Sequence, residues 1–178
     1  MNRSRFLHPW LFAGALASLS VFYLLQTATP LRIDNDAVDY LRMGAAIADG
    51  RSLPAVTLPL GYPVFLALLD RAGLGSSFFF VLANCFFLGV GLWAAWKIFD
   101  DRPAPLRQAI VLLTLLVTPV VRSVAAPLPE TAFFATSLLA LLAMKIAVSA
   151  EGRSRLRWFA TAFVLAGVAT SVTEAPVV

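Results

Sequence analysis

The chain has 178 residues, of which 60% are apolar and 13% are charged, and its formal net charge is +4. This composition excludes an ordinary soluble domain, in which about 25% of the residues are charged. The basic residues form no continuous tract, so the positive charge does not indicate a nucleic-acid partner.

Five apolar segments are candidates for membrane helices, since about 20 apolar residues are needed to cross the hydrocarbon core. They cover residues 9–27, 77–98, 108–126, 130–149 and 158–175. Arg122 and Glu130 interrupt the region of the third and fourth segments, and Pro119, Pro127 and Pro129 break it up, as expected of a short connection between two spans. The sequence therefore predicts an all-α membrane protein of about five transmembrane helices, with residues 1–178 forming a single transmembrane domain.

The first segment follows Arg3 and Arg5, a pattern shared with secretory signal peptides. The residues after it, Gln-Thr-Ala-Thr-Pro, offer only a weak cleavage site, so an uncleaved span is predicted and a cleaved signal peptide is the alternative. With a cytoplasmic N terminus, most Lys and Arg fall in inside loops and most acids fall outside. The pattern predicts a cytoplasmic N terminus, and the expected location is a bacterial inner (plasma) membrane.

Residues 28–76 are predicted to form a structured non-cytoplasmic loop, because they are too many for a simple turn. Residues 36–49 within it have helical periodicity, which predicts an interfacial helix that ends at Gly50. The face expected to lie on the membrane or on other helices carries Val38, Leu41, Ala45 and Ala48.

Asp36 is predicted to be the N-cap of this helix, with Asp39 three residues later near the positive end of the helix dipole. In that interpretation the acids of the loop need no chemical role. A second short helix, at the membrane interface, is predicted around Val64–Leu69, with Pro63 in its first turn.

Two stretches of this loop resemble the polytopic C-class (GT-C) glycosyltransferases, which include protein mannosyltransferases and aminoarabinose transferases. They are DAVDYLRMGAAIADG, Asp36–Gly50, and PLGYPVFLALL, Pro59–Leu69. A third stretch, PLPETAFF, places Glu130 where such enzymes carry a second acid. The resemblance covers about residues 10–175 but only the front of such an enzyme, so an N-terminal fragment is expected.

The resemblance implies transfer of a sugar from a polyprenyl-phosphate donor to a lipid, glycan or protein acceptor on the non-cytoplasmic face. It implies that Asp36 is the catalytic base, with Asp34 as the substitute. The donor phosphate is expected to pair with Arg122, and Tyr62 is expected to stack on the sugar. The complete set expected to bind substrate is Glu130, Tyr40, Tyr62 and Arg122.

Other interpretations of these residues stay open. Glu130 is also explained as a first-turn acid, Arg122 as a side chain that reaches lipid headgroups, and Tyr62 as an interfacial anchor. No metal-ligand cluster or glycine-rich phosphate loop is recognisable, so no cofactor is expected, although a divalent cation is an alternative. A transporter subunit, which should carry ionisable residues in mid-membrane, and a non-catalytic membrane subunit are the alternative functions.

Overall fold

The computed structural model describes residues 9–54 and 58–173, and all regular secondary structure in these ranges is helical. Arg3, Arg5 and positions 174–175 of the predicted fifth span lie outside the described residues. The helices, in chain order, are α1 Pro9–Leu25, a short 3-10 turn Gln26–Ala28, α2 Asn35–Ala48, α3 Gly61–Arg71, α4 Ser77–Ile98, α5 Ala104–Leu116, α6 Thr118–Val124, α7 Glu130–Ser149 and α8 Gly152–Thr173.

Three helical segments of the described chain are long and apolar enough to cross a membrane: Pro9–Ala28, Ser77–Ile98 and Glu130–Ser149. A fourth is possible if α5 and α6, which meet at a bend of 61°, form one broken span. The chain is therefore an integral membrane protein. The predicted fifth span corresponds to α8, which begins at Gly152 rather than at residue 158, and its crossing of the membrane stays a prediction.

The prediction of one continuous helix over residues 108–126 is wrong, because the chain turns at Val117, which has φ −71 and ψ 123. Pro119 explains the break: in a continuous helix its ring would clash with the carbonyl of Leu115, and it has no N–H to donate. The hydroxyl of Tyr23 in α1 donates to that Leu115 carbonyl at 2.8 Å. A side chain from another helix thus replaces the missing backbone bond.

The helices enclose two hydrophobic clusters, and α4 contributes to both. The first joins α1, α4, α5 and α6 through Tyr23, Val81, Leu88, Val111, Leu115 and Val124. The second joins α2 and α3 to α4, α7 and α8 through Tyr40, Tyr62, Leu66, Phe80, Ala132 and Val172. The loop helices are therefore anchored on the membrane helices.

The face of α2 that is buried against other helices differs from the predicted stripe, and contact of that stripe with the membrane surface stays a prediction. Of the predicted stripe, Ala45 is exposed and the other three residues are only half-buried. Close approach between α2 and α3 explains the difference, since a Cβ at Gly44 would lie 2.9 Å from the Cβ of Leu66. Small residues permit this approach, whereas the branched side chains are displaced to the flanks. The residues buried in α2 are Ala37, Tyr40, Met43, Gly44 and Ala46.

The N-cap of α2 lies two residues before the predicted position. Asp34, not Asp36, has the extended backbone of a cap, and its side chain accepts a hydrogen bond from the Ala37 N–H at 2.9 Å. Asp36 instead lies in the first turn of the helix, and Asp39 lies beyond that turn, 3.6 Å from Arg42.

The predicted helix ends in the loop are confirmed where glycine and proline mark them. Gly50, just after α2, has φ 67, a left-handed conformation that favours glycine. The second short helix is longer than predicted, running over Gly61–Arg71, and Pro63 lies in its first turn.

At the opposite end of the helices, Lys145 of α7 binds the end of α4. Its ammonium group donates to the carbonyl of Lys97 at 3.2 Å and to that of Ile98 at 2.7 Å, and it forms an ion pair with Asp100. Hydrogen bonding from Lys145 lowers the pKa of the Asp100 carboxyl, and the Lys145 charge and the Asp101 backbone N–H add to this effect. A cation at the C terminus of a helix also favours its dipole.

This ion pair predicts a pH dependence of stability. Because the pKa of Asp100 is lower in the folded protein, its contribution is complete above the ordinary Asp pKa of about 3.9 and is lost as the pH falls through the folded value. The thermal unfolding midpoint in detergent should therefore fall less steeply with acid in Asp100→Asn than in the wild type. Asp101→Asn, which removes only an exposed pair with Arg102, is the control and should keep the wild-type slope.

Candidate functional site

An open cleft of about 780 Å³ lies between the start of α2, the bent segment α6 and the start of α7. Its charged lining consists of two arginines and two carboxylates, and all four residues are exposed. These residues are Arg32, Asp34, Arg122 and Glu130. Two of the four, Arg122 and Glu130, were predicted as substrate-binding residues, and Asp34 was predicted as a substitute base.

The capping geometry fixes the position of Asp34 at the edge of the cleft. Its Oδ1 accepts from the Ala37 N–H, so the carboxylate is held against the first turn of α2. Because the cap uses one oxygen, the second oxygen of the same carboxylate can meet a ligand in the cleft.

Glu130 is the first residue of α7, after Pro129 at the N-cap position. The positive end of the helix dipole favours a carboxylate at this place. The next residue, Thr131, is 3% exposed, and its hydroxyl donates to the Asn84 side chain of α4 at 2.8 Å. The start of α7 is therefore held in place by a buried hydrogen bond to α4.

The two arginines are connected through the backbone. Arg122 lies in the last turn of α6. The backbone N–H of Arg32 donates to the carbonyl of Ala125, three residues beyond Arg122, at 2.8 Å. The segment after α1 and the end of α6 are thus joined, and two guanidinium groups line one cleft. Guanidinium groups suit phosphate and carboxylate ligands because they donate two parallel hydrogen bonds.

Tyr40 and Tyr62 form the buried wall behind the acids. They are 5% and 1% exposed, and their ring centroids are 5.5 Å apart in an edge-to-face arrangement. Burial raises the pKa of Tyr40 to about 12, and the charges of Glu130 and Asp36 add to the effect. Burial and the same Glu130 also raise the pKa of Tyr62. Both phenols are therefore neutral at physiological pH.

The burial of Tyr62 bears on the prediction that it stacks on the sugar. Its ring packs against Tyr40 on one side and Phe65, 5.9 Å away between centroids, on another. At 1% exposure it has no ring face open to a sugar in this conformation. The same wall lies close to Asp36, which is exposed but is not one of the residues lining the cleft.

Sequence reasoning missed two residues of this region. Arg32 stands two residues before Asp34 and shares its cleft, but a lone arginine after an apolar span is easily assigned to the membrane surface. Asn84 gave a clearer signal, since a polar amide in the middle of an apolar helix is costly unless it is hydrogen-bonded. It is 1% exposed.

A separate cavity of about 520 Å³ lies between α1, α4 and α5. Its walls are mainly apolar, with Leu16, Leu92 and Trp93 among them, and no described carboxylate lines it. The charged cleft is therefore the better candidate for a polar substrate. Within residues 9–54 and 58–173, no three His, Cys, Asp or Glu side chains come together in a group that could hold a metal ion.

The fold and the cleft define an integral membrane protein with an open, charged cleft at one end of its helices. Comparisons with protein-family models, with curated proteins and with solved structures give no match.

Proposed function

We propose that the chain is the front part of a membrane glycosyltransferase that passes a sugar from a polyprenyl-phosphate donor to a lipid, glycan or protein acceptor. The observation that carries the proposal is the cleft in which Asp34 and Glu130 face Arg32 and Arg122. Sugar transfer from a lipid phosphate needs both kinds of group: a carboxylate for the acceptor hydroxyl and a cation for the departing phosphate.

The proposed transfer needs only the donor, the acceptor and the charged side chains of the cleft. A carboxylate takes the proton of the acceptor hydroxyl as its oxygen bonds to the anomeric carbon of the sugar. The bond between that carbon and the phosphate oxygen breaks, and its electron pair goes to the polyprenyl phosphate. The guanidinium groups of Arg32 and Arg122 stabilise the negative charge that develops there, and the second carboxylate favours the positive charge on the sugar.

Two carboxylates of the first loop compete for the role of base. The resemblance implies Asp36, whereas the geometry favours Asp34, because Asp34 lines the cleft with both arginines and Asp36 does not. Glu130 faces the same cleft from α7 and is the third carboxylate within reach. We therefore assign the base to Asp34 and keep Asp36 as the competitor in the test below.

The distribution of charge supports a non-cytoplasmic cleft and a cytoplasmic N terminus. The acids of the loop and Glu130 lie at one end of α4 and α7, and Lys97 and Lys145 lie at the other. Positive loops favour the cytoplasm. Placement in a bacterial inner membrane is part of the same proposal, since a polyprenyl-phosphate donor reaches the cleft from within the lipid.

The course of α8 supports a fifth span. Of its 22 residues, positions 158–173 carry no charge and correspond to a length of roughly 24 Å, most of the hydrocarbon core. Exposed arginines at 153, 155 and 157 stand at its start. Near its end, the Ser171 carbonyl lies close against Gly61 of α3, so α8 reaches the end of the molecule that carries the loop helices.

The proposal is tested by a transfer assay on the product of the complete reading frame in lipid nanodiscs. Undecaprenyl phosphate carrying a ¹⁴C-labelled hexose is the donor, and transfer to membrane acceptors is measured. Arg122→Ala should raise the donor KM by roughly 10- to 100-fold, the effect expected when a charged hydrogen bond is lost. Arg122→Lys should recover only part of the affinity, because an ammonium group cannot make the bidentate contact.

Arg42→Ala is the matched control, since Arg42 is exposed on α2 and pairs with Asp39 outside the cleft lining. It should leave the donor KM unchanged. Hexose transfer that is insensitive to Arg122 would remove the phosphate from this cleft, and a protein that transfers no label from any polyprenyl-phosphate hexose would contradict the proposed function.

A further inference from the structure

The connection between α6 and α7 is unusual because its backbone is buried. Val124, Ala125 and Ala126 are 0%, 1% and 4% exposed, and Pro127 after them is also fully buried. Buried carbonyl groups need hydrogen-bond partners. Within the segment, the Ala126 N–H donates to the Ser123 carbonyl at 3.4 Å and the Leu128 N–H donates to the Ala126 carbonyl at 2.9 Å. The other hydrogen bonds to these carbonyls come from elsewhere in the chain.

One side chain from α4 reaches three of these carbonyls. The amide nitrogen of Asn84 lies 3.3, 3.2 and 2.8 Å from the carbonyl oxygens of Ser123, Val124 and Ala126, so that one of its two N–H groups is shared between two acceptors. The Asn84 side chain also hydrogen-bonds the Tyr62 phenol. The amide oxygen accepts from the Thr131 hydroxyl at 2.8 Å. Asn84 is thus bonded both to the residues before the turn and to the first turn of α7.

A further carbonyl of the connection joins it to the other side of the cleft. Ala125 accepts from the backbone N–H of Arg32 at 2.8 Å. Of the residues bonded by Asn84, Ser123 directly follows Arg122 in the sequence, and Thr131 directly follows Glu130. Arg32 is therefore hydrogen-bonded to this connection through its backbone. Arg122 and Glu130 are each next in sequence to a residue that Asn84 bonds.

We propose that Asn84 is a positioning residue for the cleft: from inside α4 it holds the connection between α6 and α7 and so sets the arrangement of Arg122 relative to Glu130. The amide is suited to this because it is a double donor and an acceptor in one group. Serine, leucine and aspartate each lack part of that set. The inference rests on the proposed function only for the identity of the ligand.

The test compares Asn84→Leu, Thr131→Val and Thr131→Ser in the full-length protein in detergent micelles. Hydrogen exchange of peptides covering residues 118–128 is measured first, and the KM and kcat for undecaprenyl-phosphate hexose follow. Asn84→Leu should speed exchange in this segment at least tenfold and raise the donor KM at least tenfold. Thr131→Val should do the same to a smaller extent, and Thr131→Ser, which keeps the hydroxyl, should match the wild type.

Thr136→Val is the control, because the Thr136 hydroxyl binds only carbonyls of its own helix, and it should change neither readout. If Asn84→Leu fails to fold, the two Thr131 variants carry the test. Unchanged exchange, or exchange raised equally in α2, α3 and α7, overturns the positioning role. Local exchange in a wild-type-like fold supports it even if no variant transfers sugar, and that result counts against the proposed function alone.

Discussion

Replacing Asp34 by asparagine is expected to lower the rate of sugar transfer by about 100-fold or more, the usual effect of losing a general base. Asparagine caps helices as well as aspartate does, so the bond to the Ala37 N–H is kept. The free energy of unfolding should therefore change by less than about 0.5 kcal/mol. Single-turnover transfer rates and unfolding curves of the same preparation separate the chemical from the structural effect.

Asp36→Asn is the matched comparison, two residues away on the same helix. It removes a first-turn acid, and a loss of about 0.3–1 kcal/mol is expected from the helix dipole, with transfer largely preserved. If the two results are exchanged, so that Asp36→Asn loses activity and Asp34→Asn keeps it, the base is Asp36, as the family resemblance implies. Full activity in both variants would exclude the first loop as the source of the base.

Gly61→Ala is expected to destabilise the protein by about 1–3 kcal/mol, the range for overpacking a tight contact. A Cβ at Gly61 would lie 2.6 Å from the carbonyl oxygen of Ser171, which is backbone and cannot rotate away. The start of α3 would have to separate from α8. Equilibrium unfolding in mixed micelles measures the loss, and transfer should fall as well because α3 supports the tyrosine wall.

Gly167→Ala, in the middle of α8, is the control for this substitution. Of the described atoms outside its own helix and its chain neighbours, none lies within 4 Å of a Cβ built there. Alanine is the better helix former, so stability should stay the same or rise by up to about 1 kcal/mol. A Gly61→Ala protein as stable as this control would mean that α3 and α8 are not held together as the structure describes.

The apolar helices were predictable because hydropathy and length act locally. The second and fourth predicted segments match α4 and α7 in both bounds, 77–98 and 130–149. The third segment is not one helix, because Pro119 breaks it at Val117, whereas the prediction assigns this proline to the connection between two spans. The Tyr23 hydroxyl that compensates the break lies 92 residues from Leu115, so no local pattern announces it.

The site was harder to predict for the same physical reason. Asp34 and Asp36 are equally good capping residues by type, and the choice between them is made by the burial of Ala37 and Tyr40 against α3. That packing needs the glycine contact between Gly44 and Leu66, which periodicity does not reveal. Residue type identified the acids and Arg122, whereas tertiary contacts decide which of them share a cleft.

The reach of the Asn84 bonds has a consequence for biogenesis. Its partners in α6, in α7 and between them follow it by 39 to 47 residues, so α4 leaves the ribosome well before them. The Tyr62 phenol, which also hydrogen-bonds Asn84, precedes it in the chain. An amide without partners is expensive in lipid. During synthesis α4 is therefore made before the hydrogen bonds of Asn84 to later residues can form. These bonds are complete once Thr131 has been synthesised. A chain whose translation stops between Asn84 and Thr131 therefore lacks these later bonds, and of the Asn84 partners described here it contains only the Tyr62 phenol.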